Sequence, residues 1–300
     1  MDEARRARRG LWVFFAVLIA LSAVFEGMII LRVPFLDRTG QVVLLMWSPA
    51  VASFVARIAT REGWADLSFR IGGAAGWRAL LYAVGFPLGV GLLAYGVAWA
   101  TGLATFEPPV QDYLVLPQWV WEVEISGEPV VRFAKQFAFH LTLGAVVGCI
   151  WAAGEELGWR GYLAPRLLDA RVPWGLALSG FVWALWHLPL MLRAGGHFGP
   201  SRLLTALLFV MVLTPMGVAM ARLRMETGSM WPPIVLHGVW NEGLAVFASA
   251  TNPPESFWLG ETGILVVAAS LLLLVPLLRG SWSARRAPER VPYASFSARS

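Results

Sequence analysis

The sequence predicts an all-α, polytopic membrane protein of about eight transmembrane helices that enclose an intramembrane polar cavity. Of its 300 residues, 57% are hydrophobic, only 14% are charged, and the mean hydropathy is +0.62. A soluble domain has roughly 45–50% apolar and about 25% charged residues, so this chain lacks the charge to cover a soluble surface. Its 16 Trp and 17 Phe residues suit repeated crossings of the bilayer interface, where aromatic rings collect.

Eight apolar stretches are long enough to cross a bilayer, which takes about 20 helical residues. They span 11–33, 41–60, 77–101, 133–157, 174–192, 203–221, 231–249 and 260–279. Four arginines precede the first stretch, as in a signal peptide, but its apolar run is longer than a signal-peptide core and has no small-residue cleavage site. We therefore expect a first helix that is retained.

Basic residues predict the orientation of these helices. The chain has 24 Lys and Arg residues, of which all but Lys135 are Arg, and a formal net charge of +5. With a cytoplasmic N-terminus, six of the 24 lie in outer segments: Arg32, Arg38, Arg132, Lys135, Arg193 and Arg202. Because cytoplasmic loops carry the excess of basic residues, both termini are expected to be cytoplasmic. The positive charge then reflects topology, and no nucleic-acid partner is expected.

We expect a single transmembrane domain over residues 1–279, followed by a disordered cytoplasmic tail at 280–300 that is rich in Arg, Ser and Pro. The acidic loop at 102–132 is expected on the outside, where a short helix or hairpin within it would cap the outer face. The bias of Arg over Lys is typical of a GC-rich genome, so the expected location is a bacterial plasma membrane, with the lipid bilayer as one partner.

Ionisable and strongly polar residues inside the predicted helices are functional candidates, because a charged group in hydrocarbon costs at least a few kcal/mol. The candidates are Glu26, His140, Glu155, Glu156, His187, His237, Asn241 and Glu242. Such residues usually face the interior of a helix bundle or a wet cavity. Most of them lie in the fourth, fifth and seventh stretches, which predicts a cavity shared by these three helices.

The string E-E-L-G-W-R at 155–160 ends the fourth stretch. On a helix, Glu156 and Arg160 are i,i+4 neighbours on one face, whereas Glu155 points about 100° away. Arg160 can therefore neutralise Glu156, and Glu155 is left as an unpaired carboxylate suited to proton transfer. The string alone is also explained by a solvated helix end with an ordinary salt bridge.

Two further motifs follow in the fifth and seventh stretches. His187 lies close to Pro189, which can kink the helix and free backbone carbonyls for a wet site. His237 and Asn241 are i,i+4 neighbours, and Gly238 leaves room for close approach by another helix. Two such donors in a low-dielectric site suit a developing negative charge, as in an oxyanion hole. Taken alone, the motifs are also explained by a packing histidine and by hydrogen bonds between helices.

The motifs reach comparable depths in their helices. At a rise of 1.5 Å per residue, His187 lies about 20 Å into its helix, Asn241 about 15 Å and His237 about 9 Å. Glu155 reaches a similar depth only if the fourth helix continues to about 159–162. A common site is then expected in the cytoplasmic half of the membrane.

The three motifs together resemble the CAAX prenyl protease type II family, the CPBP or Abi intramembrane glutamic endopeptidases. The matching strings are E-E-x-x-x-R, aromatic-x-x-x-His and His-x-x-x-Asn, on successive hydrophobic stretches within about 133–249. That family usually has Phe four residues before the second-motif His. This sequence has Trp183 there, and we interpret its ring as a packing element.

The resemblance implies an intramembrane endopeptidase that cleaves near the end of a membrane-associated peptide or protein, which is lipidated or not. By analogy, Glu155 and His187 would bind and activate a water molecule for attack on the peptide carbonyl. His237 and Asn241 would stabilise the tetrahedral oxyanion. The segment at about 133–249 would then be the catalytic core.

Glu156 and Arg160 match motif residues with a supporting role in that family. The implied mechanism needs no metal and no cofactor, although Glu155, His187 and His237 are also a His₂Glu set of the kind that binds Zn²⁺. The zinc-protease string H-E-x-x-H is absent from the sequence.

Two non-proteolytic functions stay open at the level of the sequence. A membrane scaffold or bacteriocin-immunity-type protein could use the same cavity for binding alone, because a fold does not fix a function. A transporter with an intramembrane polar relay would have inverted repeats, and the sequence has no evident internal repeat. The presence of all four catalytic-type residues favours the protease.

Overall fold

A computed structural model of the chain describes residues 3–108, 113–115, 122–124, 126–193 and 201–279. Its α-helices are α1 (Glu3–Leu31), α2 (Arg38–Thr60), α3 (Gly73–Thr101), α4 (Pro129–Phe139), α5 (Ala145–Gly158), α6 (Ala164–Asp169), α7 (Gly175–Arg193), α8 (Arg202–Thr227), α9 (Trp231–Ser249) and α10 (Ile264–Arg279). Two π-helical turns, π1 (His140–Gly144) and π2 (Trp159–Leu163), join α4 to α5 and α5 to α6. The tail at 280–300 lies outside the described residues.

Six helices in the described part of the chain are long and apolar enough to cross a membrane. They are α1, α2, α3, the continuous 41-residue helix Pro129–Asp169, α7 and α8. The predicted all-α, polytopic membrane fold is therefore confirmed. The seventh and eighth predicted stretches are also helical, as α9 and α10. However, α9 is a continuous helix that contains polar residues, and the apolar part of α10 is shorter than the six helices that can cross a membrane. The number of eight spans stays a prediction.

Local sequence signals set the boundaries of α8 and α9. α8 begins after Ser201, whose hydroxyl accepts a hydrogen bond from the Leu204 amide at 3.1 Å, and ends at Gly228 with a φ of 68°. Ser is a favoured N-cap, and Gly adopts the left-handed conformation that ends many helices. α9 begins with Pro232 and Pro233, whose missing N–H groups cost nothing in a first helical turn.

Glycine residues let α5 pack closely between α2 and α9. A Cβ atom on Gly238 of α9 would lie 2.6 Å from the backbone nitrogen of Cys149, and one on Gly158 would lie 2.3 Å from the Cβ of Pro49 in α2. Both distances are too short for a real side chain, so only glycine fits. The close approach that the sequence predicted at Gly238 is made by α5, which carries the first motif.

Short strands cover the end of the bundle at which α3 and α9 end. β2 (Tyr113–Val115) and β3 (Glu122–Glu124) form an antiparallel hairpin within the 102–132 loop, and a hairpin is one of the two forms expected there. β1 (Thr105–Phe106) pairs antiparallel with β4 (Thr251–Asn252). This pairing ties the loop after α3 to the segment between α9 and α10.

A polar network holds the opposite end of the bundle. Arg57 of α2 donates to Asp66 at 2.6 Å and to the carbonyl oxygen of Gly161 in π2 at 2.8 Å. Arg166 of α6 donates to Glu62 at 2.6 Å and to Asp66 at 3.1 Å. Burial alone would raise the pKa of Asp66, but its hydrogen bond with Arg57 and the charges of Arg57 and Arg166 hold it below its ordinary value of 3.8. The network anchors π2 to the loop after α2.

Candidate active site

The first motif lies well inside a long helix, because the helical segment Pro129–Asp169 continues past the end of α5. Through π2 and α6 the helix continues to Asp169, which is 14 residues or about 21 Å beyond Glu155. His187 is 12 residues or about 18 Å from the start of α7. The fourth helix therefore continues beyond 159–162, as a common depth requires, and Glu155 and His187 lie at matching depths.

Glu155 is buried, with 2% of its surface exposed, and two indole groups donate to the same carboxylate oxygen. Trp183 Nε1 lies 2.7 Å from Glu155 Oε2, and Trp159 Nε1 lies 3.2 Å from it. His187 Nε2 lies 3.9 Å from the same oxygen, which is too long for a direct hydrogen bond.

The interpretation of Trp183 as only a packing element is wrong. Its indole N–H makes the shortest hydrogen bond to Glu155, a contact that a Phe at this position has no donor to make. A buried carboxylate needs such donors, because the cost of removing its charge from water is otherwise uncompensated. The departure from the family pattern therefore adds a polar contact to the candidate catalytic carboxylate.

Glu156 joins the first motif to the third. Its Oε1 atom accepts from Arg160 Nη1 at 2.8 Å and lies 2.8 Å from Nδ1 of His237. The i,i+4 pair expected from the sequence is present, and His237 is an additional partner that helix periodicity did not indicate. The Arg160 guanidinium also lies over the ring of Trp183, 4.0 Å from its centroid. All three motif helices therefore meet at Glu156 and Arg160, which are both fully buried.

Hydrogen bonds define which ring nitrogen of each histidine carries a proton. His187 Nδ1 lies 2.9 Å from the carbonyl oxygen of Trp183, which can only accept, so Nδ1 is the protonated nitrogen and Nε2 has the free lone pair of a neutral ring. His237 Nδ1 faces the Glu156 carboxylate, so it donates there, and its Nε2 carries a second N–H only when the ring is cationic.

One cavity of about 480 Å³ connects the candidate catalytic residues. It is lined by Glu155, His187, His237 and Asn241, among others. Asn241 is exposed and makes no hydrogen bond to the other described residues, so its amide is free for a ligand. The structure brings these four residues to one cavity, whereas Glu156 and Arg160 are not among its lining residues.

Residues 136–242 match the family described as Type II CAAX prenyl endopeptidase Rce1-like. We refer to residues 136–242 below as the Rce1-like domain because of this similarity. The matched segment runs from the helix before π1 to the middle of α9 and contains the four candidate catalytic residues and the supporting pair, which supports the family expected from the three motifs. No curated protein matches the chain.

The Rce1-like domain contains a second acidic–imidazole pair that the sequence reasoning did not connect. His140 Nδ1 in π1 lies 2.8 Å from Glu242 Oε2 in α9, with both side chains mostly buried and outside the cavity lining. Their separation of 102 positions along the sequence means that no local pattern indicates this pair. It ties π1 to the turn of α9 that carries Asn241.

The part of the chain that the structure describes contains no preformed set of Zn²⁺ ligands. No three His, Cys, Asp or Glu side chains there converge as metal ligands would. Within the Rce1-like domain, His237 Nδ1 is already directed at Glu156, and His187 Nδ1 at a backbone carbonyl.

Proposed function

We propose that this protein is an intramembrane endopeptidase in which a water molecule activated by Glu155 and His187 hydrolyses a peptide bond of a membrane-associated substrate. The Rce1-like match supports the kind of function, a CAAX-type intramembrane protease, since that family is generally one of proteases. The glutamic mechanism and the nature of the substrate belong to the proposal.

The observation that carries the mechanism is the gap between Glu155 and His187. Oε2 of the carboxylate and Nε2 of the imidazole are 3.9 Å apart, and both residues line the same cavity. A water molecule there can donate one hydrogen to the lone pair of His187 Nε2 and the other to Glu155. Its own lone pair is then directed into the cavity, where a substrate carbonyl can lie.

Proton transfer follows from this arrangement. As the water oxygen bonds to the carbonyl carbon, His187 Nε2 takes one water proton. When the tetrahedral intermediate collapses and the C–N bond breaks, the same nitrogen returns the proton to the leaving amine. The Glu155 carboxylate stabilises the imidazolium that forms between these steps, as acidic partners of catalytic histidines do. The two indole donors hold its carboxylate in place for this role.

His237 and Asn241 are suited to stabilise the oxyanion. The Asn241 side-chain amide is exposed in the cavity, one helical turn after His237. His237 contributes a second donor through Nε2 when it is an imidazolium. Preorganised donors of this kind typically contribute about 10²–10³ in rate each.

Glu156 and Arg160 act as supporting residues by fixing His237. Because Glu156 accepts from both Arg160 and His237, the imidazole can neither rotate nor present Nδ1 to the substrate. Arg160 balances the charge of Glu156 within a fully buried site.

Hydrolysis of a quenched fluorescent peptide by the full-length protein in nanodiscs tests the proposal. The peptide carries an N-terminal acyl chain, so that it partitions into the bilayer, and is supplied with and without a prenylated cysteine. We expect His187→Ala, which removes the general base, and Glu155→Gln, which removes the carboxylate that stabilises its imidazolium, to lower kcat by about 10²–10⁴. Glu128→Gln, an exposed glutamate outside the cavity, is the matched control and should retain activity. Undiminished hydrolysis by Glu155→Gln would overturn the assignment.

A further inference from the structure

The cavity has an acidic wall that the proposed reaction does not use. Besides Glu155, it is lined by Glu26 from α1 and by Glu255 and Glu261 from the segment between α9 and α10. These three carboxylates come from two distant parts of the sequence, and they lie towards the end of the bundle at which α1 and α9 end.

No Lys or Arg side chain among the described residues balances this wall. Although the chain has 24 Lys and Arg residues and a net charge of +5, none of them is among the described residues that line the cavity. A cleft lined by one sign of charge with apolar walls concentrates its field, so the cavity attracts cations against the sign of the whole chain.

Glu26 is the most deeply placed of the three additional carboxylates. Only 9% of its surface is exposed, and it makes no hydrogen bond or ion pair with any other described residue. It lies one helical turn after Ser22, which accepts a 2.7 Å hydrogen bond from the indole of Trp186 on α7, and so it faces the helix that carries His187. A carboxylate that is buried without a partner is costly unless a ligand supplies one.

Glu255 and Glu261 lie at the mouth of the cavity. Both are exposed, and Glu261 is oriented by a 2.9 Å hydrogen bond from the indole of Trp240 on α9. Partial burial and the negative charge of Glu261 raise the pKa of Glu255 above its ordinary value. Because both carboxylates line the same cavity, a cation bound there would offset the repulsion between them.

The shape of the site favours an organic cation over a metal ion. No three His, Cys, Asp or Glu side chains in the described part of the chain converge on one point, as a metal site requires. The carboxylates are instead spread along a cavity whose walls include Trp186, Phe209 and Met216. A flexible basic side chain has an apolar stem and a charged head, which matches apolar walls with carboxylates at intervals.

We propose that this cavity selects a basic side chain, Arg or Lys, of the peptide substrate, with Glu26 as its principal acceptor and Glu255 and Glu261 guiding it from the mouth. The description of the ligand as a substrate rests on the proposed protease function. The preference for a cation rests on the cavity itself, so the two can fail separately.

Binding of two matched probes tests the preference without any need for hydrolysis. N-dodecanoyl-argininamide and N-dodecanoyl-citrullinamide differ in charge and little in size, and are titrated into the full-length protein in nanodiscs of zwitterionic lipid. We expect the arginine probe to bind about 10-fold more tightly or better, as a charge-assisted hydrogen bond implies. Equal affinities would overturn the inference, as would displacement of the arginine probe by Mg²⁺ or Zn²⁺ at stoichiometric concentration.

Three variants assign the preference to the acidic wall. Glu26→Gln should abolish the difference between the probes, whereas the exposed control Glu128→Gln should leave it intact. The double variant Glu255→Gln/Glu261→Gln changes only exposed residues, so it tests the acidic wall even if the buried substitution Glu26→Gln prevents folding. It should slow association of the arginine probe and weaken the dependence of that rate on salt. A preference for arginine that survives in folded Glu26→Gln, or an association rate unchanged in the double variant, would contradict the assignment.

Cleavage of a randomised acyl-peptide library, read by mass spectrometry, separates this inference from the proposed function. We expect Arg or Lys to be enriched at one fixed position relative to the cut, and the enrichment to disappear in Glu26→Gln. Cleavage without any basic preference would leave the protease in place and overturn this inference. Arginine-selective binding without any hydrolysis would overturn the proposed protease function and leave this inference in place.

Discussion

A 2.8 Å contact between Glu156 Oε1 and His237 Nδ1 joins the first motif of the Rce1-like domain to the third across 81 residues of sequence. Because the same oxygen accepts from Arg160, the contact fixes both the position and the tautomer of the imidazole. Glu155, the residue before Glu156, is held instead by two indole groups. Adjacent glutamates thus face different partners, one within the protein wall and one at the cavity.

The indole of Trp183 should position Glu155 for catalysis. Trp183→Phe keeps an aromatic ring of similar bulk but removes the 2.7 Å hydrogen bond, so the carboxylate is held by Trp159 alone. We expect kcat to fall about 10-fold, which corresponds to about 1.4 kcal/mol, with KM little changed. Steady-state kinetics on the acyl-peptide measure both constants.

Trp231→Phe is the matched control for this substitution. It removes an indole hydrogen bond of the same length, to the carbonyl oxygen of Phe69 at an exposed site far from the cavity. A kcat for Trp183→Phe equal to that of the control would show that the indole contact plays no part in the reaction.

Asn241 and His237 should differ in how their loss affects stability. Asn241→Ala removes an exposed amide with no partner among the described residues, so kcat should fall about 10²–10³ without a change in the thermal unfolding temperature. His237→Ala should lower both kcat and stability, because it leaves the Glu156 carboxylate with Arg160 alone. The expected loss of stability is about 1–3 kcal/mol. Equal unfolding temperatures for the two variants would contradict the structural part of the role given to His237.

Acid should destabilise the protein through Asp66. Arg57 and Arg166 hold the pKa of Asp66 below 3.8 in the folded state, so the unfolded chain binds the proton more tightly. The stabilisation is then fully present above about pH 5 and declines as the pH falls through 3.8 towards the folded-state pKa. Thermal unfolding in nanodiscs between pH 7 and pH 3 should show this decline, and Asp66→Asn should lack that part of it. Identical pH profiles for the two proteins would refute the expectation.

Gly238 should tolerate no side chain. A Cβ atom there would lie 2.6 Å from the Cys149 backbone nitrogen, so Gly238→Ala must push α5 and α9 apart, at a cost of about 1–3 kcal/mol. Gly96→Ala in α3 is the matched control, because nothing lies within 4 Å of the added atom, and it should be neutral or slightly stabilising. Comparison of the two unfolding temperatures checks the prediction. Similar temperatures would mean that the approach of α5 to α9 is not constrained at this glycine.

Much of the site could be predicted from local sequence because helix periodicity places i,i+4 residues on one face. This rule gave the Glu156–Arg160 pair and set Glu155 apart from it. The family resemblance added roles for His187, His237 and Asn241, which stay proposals. What neither could give was the partner of each carboxylate, since Trp183 and His237 reach them from other helices.

The sequence by itself determined that the chain is a bundle of apolar helices, because runs of about 20 apolar residues have no stable place outside a bilayer, and it determined which residues share a helical face. The tertiary structure decided which faces meet. Glycines at the contact of α5 and α9 let Glu156 reach His237, and the packing of α1 beside α7 brings Glu26 to the same cavity as Glu155. These contacts depend on side-chain shape across long sequence separations, which a local pattern does not encode.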